Sequence, residues 1–122
     1  MADDNRNCSR QEVKKKFELL RQTQRQLYAE MANAEVQLSD HREVLKTLKN
    51  CDPAAKCFYT QSGVLLERTV KEIFPLVVMG KEKLEKEIEN LRLRIEEKTR
   101  EVDQFRITFN VQILSEEQSL AA

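Results

Sequence analysis

The sequence is short of everything that builds a turn-rich globule. Its 122 residues include 2 glycines, 2 prolines, no tryptophan and 6% aromatics. A profile so poor in turn residues, and rich instead in Glu, Lys, Arg, Leu and Gln, favours long helices or coiled coil over a compact globule. Charge of one sign is lacking too. Lys and Arg number 21 and Asp and Glu number 21, giving a formal net charge of zero. With no Lys/Arg block, nothing draws the chain generally to nucleic acid or to an acidic membrane surface. No apolar run approaches the roughly 20 residues that cross a bilayer; the longest, Ile73 to Met79, is interrupted by Pro75.

Chemistry-bearing residues are equally sparse. The cysteines, Cys8, Cys51 and Cys57, are odd in number and form no Cys-x-x-Cys pair. With an acidic, polar Met-Ala-Asp-Asp start in place of an apolar signal region, they point to reduced thiols in a cytoplasmic protein. The single histidine, His41, could nominally join the three cysteines around zinc, but the paired ligand spacing of such sites is absent. No Gly-rich phosphate loop and no nucleophile motif occur. The expectation is a protein without catalytic residues, metal or cofactor.

What the chain does have is charge, at 34% of residues, and periodicity. From Val13 a heptad runs through Phe17, Leu20, Gln24, Leu27, Met31, Ala34, Leu38, His41, Leu45 and Leu48, with steps alternating four and three. That 3.5-residue period belongs to a left-handed coiled coil. A second heptad comprises Leu84, Ile88, Leu91, Ile95, Lys98, Val102, Phe105 and Phe109. Gln24, His41 and Lys98 are polar seam residues of the kind that set register or partner choice. Gln24 and Lys98 are expected at related levels of an antiparallel pair.

Between the heptads the pattern changes. Cys57, Phe58, Tyr59 and Thr60 are aromatic or β-prone, Val64, Leu65 and Leu66 are aliphatic, and Gln61-Ser62-Gly63 joins them. Gly63 supplies the positive φ that a tight turn needs, so the stretch reads as a β-hairpin. Thr69-x-x-Glu72 is a helix-opening capping box. The predicted fold is mainly α, a long antiparallel two-helix coiled coil with a single β-hairpin between the helices. Its expected order is a flexible start (1–10), helix 1 (11–50), the hairpin region (51–80, strands about 56–61 and 63–68, then a short helix bent at Pro75 and closed at Gly80), helix 2 (81–114) and a flexible end (115–122). Such a stalk carries the hairpin at one end and both termini at the other. An isolated hairpin is marginal in water and its free edges invite other strands, so these strand residues are the candidate assembly site.

The C-terminal stretch offers a second candidate. Phe105 and Phe109 enter the seam, while Ile107, Val111 and Leu114 form a stripe outside it. Phe105, Ile107, Phe109, Val111 and Ile113 also alternate as a short strand would. One reading is a helix end or strand that packs on a partner. The other is an exposed apolar tip that grips non-native protein, with Val13, Phe17 and Leu20 opposite.

Helix, single hairpin, helix resembles the β-type subunits of the prefoldin family. The likeness is carried by Lys56-Cys57-Phe58-Tyr59, by the run Gly63 to Glu72 (Gly-Val-Leu-Leu-Glu-Arg-Thr-Val-Lys-Glu), by Pro75, by Leu20-Arg21-Gln22-x-Gln24-Arg25 and by Glu101 to Arg106. It spans roughly Val13 to Leu114. Ser62-Gly63 stands where the family pattern has a glycine pair, and Val77-Val78-Met79 is more apolar than the linker expected there. The resemblance implies a cytosolic, ATP-independent co-chaperone. Two α-type and four β-type subunits would join hairpins into β-barrels as a heterohexamer. The coiled-coil tips would hold unfolded clients, notably actin and tubulin, and pass them to the group II chaperonin. The alternative is a homodimeric coiled-coil adaptor or tether without client transfer.

Overall fold

The computed structural model describes the backbone of residues 10–121 and the side chains of residues 10–109. Helix α1 spans Arg10–Lys49, strands β1 and β2 span Lys56–Gln61 and Val64–Thr69, and helix α2 spans Val70–Ala121. The chain divides into two compact units. One, the hairpin unit, is Met31–Asn90; the other, the terminal unit, is Met1–Glu30 with Leu91–Ala122.

Every residue of both predicted seams is buried or half-buried, because the 3.5-residue period keeps one stripe of each helix turned to its neighbour. Val13, Leu27 and Ala34 on α1, and Ile88, Leu91 and Val102 on α2, belong to this core. Each buried Val, Leu or Ile contributes about 1.5–3 kcal/mol.

In the hairpin unit, helix α2 corrects the sequence expectation. The chain does not pause at Gly80; a single helix runs from Val70 onward. One and two heptads before Leu84 stand Val77 and Val70, and before Ile88 stand Lys81 and Phe74, all buried or half-buried. The seam therefore begins with the helix. Pro75 removes the hydrogen bond to the Lys71 carbonyl, but it lies on the exposed side, and packing of Ile73 and Val77 holds the helix on course. Gly80 has a different duty from punctuation. A Cβ there would lie 2.8 Å from Nε2 of His41, so the missing side chain makes room for the imidazole. His41 in turn donates from Nδ1 to the Gln37 carbonyl at 2.8 Å.

The start of α2 is capped from several directions. Glu72 N–H donates to the Thr69 hydroxyl at 3.3 Å, and that hydroxyl donates to the Glu72 carboxylate at 3.1 Å. Val70 and Lys71 N–H groups donate to the carbonyls of Ala55 and Pro53, at 2.9 and 3.0 Å. The loop after α1 thus satisfies donors that a helix start leaves orphaned. That loop is shaped locally, by the Asp52 carboxylate accepting from Ala54 N–H at 3.0 Å.

The hairpin is antiparallel, with Lys56 opposite Thr69 and Gln61 opposite Val64. Strand β2 therefore starts at Val64, one residue later than expected, leaving a two-residue turn. Ser62 has φ 52° and Gly63 φ 79°. Positive φ at both central residues is the type I′ turn, whose twist matches the strands it joins.

In the terminal unit the helical segments run in opposite directions, since Gln24 meets Thr99 and Phe17 meets Phe105. The buried Gln24 amide accepts from Arg21 Nη1 at 2.6 Å and donates to the Thr99 hydroxyl at 3.2 Å. Its partner across the seam is Thr99, next to Lys98 in the chain, so Gln24 and Lys98 lie at related levels, while Lys98 reaches along its own helix to Glu101 at 2.8 Å. The strand reading of the C-terminal stretch is overturned, because α2 is helical through Ala121. A helix satisfies these backbone groups within one segment, which a lone strand cannot.

Candidate interaction surfaces

The hairpin has two faces set by its register. Cys57, Tyr59 and Gln61 lie opposite Arg68, Leu66 and Val64 on one face. Cys57, Tyr59 and Leu66 are half-buried there, against the unit's helices. Along β1 a groove of about 350 Å³ is lined by residues of both faces, Cys57, Phe58, Tyr59 and Thr60, with Val44, Leu48, Ile73 and Val77 of the helices. The other face carries Phe58 opposite Glu67 and Thr60 opposite Leu65. Phe58 is 70% exposed and Leu65 64%. Lys56 and Glu67 pair diagonally across this face at 3.4 Å, an exposed contact worth little in stability.

Each strand pairs on one side only among the described residues. The outer edges offer main-chain donors and acceptors to no further strand among the described residues. Of the seven predicted assembly residues, Phe58, Thr60, Val64 and Leu65 are exposed, while Cys57, Tyr59 and Leu66 support the sheet from beneath.

The terminal unit gathers aromatic rings. Phe17 stacks on Phe105 with centroids 6.0 Å apart, and Phe105 meets Phe109 at 4.6 Å. The Arg106 guanidinium sits 5.7 Å from the Phe17 centroid, within cation–π range. Leu20 and Phe105 form a ridge shared by two open grooves. One, about 330 Å³, adds Lys16, Leu19 and Thr23. The other, about 530 Å³, adds Arg100, Glu101, Gln104, Thr108 and Phe109.

Not all predicted tip residues are available at this surface. Val13 is only 2% exposed, so it serves the seam. Ile107 is 72% exposed but lines neither groove. Val111, Ile113 and Leu114 lie outside the residues whose side chains are described. Leu19, at 62% exposure, was missed by sequence reasoning; its signal was an apolar side chain outside the heptad. No cluster of three or more metal-ligating side chains occurs among the described residues. No helix there is long and apolar enough to cross a membrane.

A family model described as prefoldin subunit matches residues 11–116. The chain belongs to the prefoldin family. Prefoldin subunits are chaperone components, and membership implies assembly with other prefoldin subunits. Among curated relatives, prefoldin subunit 2 of Homo sapiens is 40% identical over 106 residues, covering 87% of this chain and 69% of the human protein. Probable prefoldin subunit 2 of Drosophila melanogaster is 35% identical over 108 residues, covering 88% of this chain and 76% of the fly protein. The solved prefoldin beta subunit from Thermococcus strain KS-1 shares the fold, with a TM-score of 0.70 over 84% of this chain and 91% of that one. At 12% identity that likeness speaks for the fold alone. A single hairpin between two long helices is the β-type prefoldin arrangement.

Proposed function

We propose that this chain is a β-type subunit of a heterohexameric, ATP-independent holdase. In this reading it binds unfolded or nascent clients, actin and tubulin among them, and passes them to the cytosolic group II chaperonin. The observation that carries the reading is the hairpin, with free edges and exposed Phe58 and Leu65, on a chain of prefoldin family and fold. Strands from α-type and β-type neighbours satisfy the edges and cover the apolar face. The aromatic ridge of the terminal unit holds clients. A groove flanked by Leu, Phe and the stems of Lys and Arg suits any apolar segment, because hydrophobic contact has no direction. Each such contact is weak, and several subunits acting on one client raise the effective concentration of the rest. The chain works by binding in the cytoplasm, without catalysis.

A mild pull-down of the tagged full chain, read by native mass spectrometry, tests the proposal. The expected species is a single complex of about six small coiled-coil chains. A stable homodimer, or a complex with unrelated large proteins, would replace the co-chaperone reading by that of a coiled-coil tether.

A further inference from the structure

Beside the hairpin, helix α2 exposes a stripe that neither the seam nor the sheet uses. Leu76 is 44% exposed and Met79 61% exposed. With Gly80, Lys83 and Lys86 they follow one another at helical spacing, on one side of α2. Together with Tyr59 these residues line a groove of about 360 Å³, and Glu82 stands at its rim. The floor is apolar, and its methionine is the side chain that most readily reshapes around a guest. The far end is basic. Lys83 and Lys86 make no ion pair among the described residues, whereas the neighbouring Lys81 reaches Glu85 at 3.7 Å. In a chain of zero net charge, laced with pairs along its helices, two unpaired lysines one turn apart beside exposed Leu and Met form a surface with a direction, apolar first and then positive.

We propose that this groove docks an acidic amphipathic peptide segment of a partner protein. Apolar side chains of the segment enter between Tyr59, Leu76 and Met79. Carboxylates one to two turns further on meet Lys83 and Lys86, which lie roughly 6 and 10 Å beyond Met79 at the helical rise. Glu82 leaves the rim net positive by one charge and disfavours a segment whose carboxylates come at its apolar end. This contact is separate from strand pairing at the hairpin, and it gives the assembled subunit a docking point for a partner that need not be a client.

The test selects peptides from a random displayed library on the tagged full chain in its native complex. Enriched peptides are expected to carry an apolar pair followed by Asp or Glu. Their affinity should fall on the order of tenfold when Lys83→Glu and Lys86→Glu are combined, and similarly for Met79→Lys, with the mass of the complex unchanged. Lack of enrichment, or enrichment indifferent to the charge reversal, overturns the proposal. Protection of Met79 from oxidative footprinting in the intact complex overturns it as well, since a neighbouring subunit would then occupy the groove. The complex mass, read in the same samples, reports separately on the hairpin's assembly role.

Discussion

The hairpin unit and the terminal unit both expose apolar side chains, but on different backbones. In the hairpin unit Phe58 and Leu65 stand on a sheet whose edges pair with no further strand among the described residues. A guest there must match directional hydrogen bonds as well as apolar area, which favours a few specific strands. In the terminal unit Leu19, Leu20 and Phe105 stand on helices that satisfy their own backbone. A guest there need only bring apolar surface, and nothing in that demand specifies a sequence. In the proposed function the same hydrophobic driving force would serve selective assembly in one unit and permissive grip in the other, and the backbone beneath would make the difference.

The comparison is broken most severely at the hairpin. Phe58→Asp with Leu65→Asp should abolish the multisubunit species in native mass spectrometry, with binding weakened by more than about 100-fold, as for paired hot-spot residues. The helices should keep their circular dichroism. A complex of normal mass from this variant would remove the hairpin from assembly.

At the terminal unit, Phe105→Ser with Phe109→Ser should weaken client capture, but Phe105 also packs on Phe17, so the seam loosens with it. Leu19→Ser with Ile107→Ser is the cleaner variant, because both side chains are already exposed. It should reduce suppression of client aggregation several-fold, with stability changed by no more than about 0.5 kcal/mol. Full suppression by both double variants would dismiss the terminal unit as the gripping surface.

Smaller effects sharpen the account of the hairpin unit. Gly80→Ala forces a Cβ against the His41 ring and should cost about 1–3 kcal/mol of overpacking, offset in part by about 1 kcal/mol of helix propensity. Adding His41→Ala should recover the loss in a thermal-unfolding cycle, and additive effects would mean the two residues do not compete for space. Smallest is Ser62→Gly. Its φ of 52° is costly for a residue with a Cβ, so glycine should stabilise the hairpin by about 1 kcal/mol in hydrogen exchange of β1 and β2.

Much of this was legible in the residues, for reasons that differ by element. Val13 to Leu48 displayed its seam because a coiled coil repeats one local instruction, and each residue obeys it wherever its partner lies. The strands, the Ser62-Gly63 turn and the Thr69 cap were legible because their interactions close within a few positions. The aromatic residues of the terminal unit were visible as a group, but burial separates Val13 from the exposed Leu19, and a heptad position alone states nothing about exposure beyond the seam.

By itself, then, the sequence determined two helices, the hairpin between them and the capping box. Tertiary structure alone decided that α2 continues past Pro75 and Gly80, that Gly80 serves His41, that Gln24 pairs with Thr99, and that the loop carbonyls of Pro53 and Ala55 cap a helix well beyond them in the chain. The physical reason is range. Periodicity and capping are settled between residues a turn apart, whereas each of these contacts depends on the register of segments far apart in the chain. That register is set by the summed packing of the whole seam and is written at no single position.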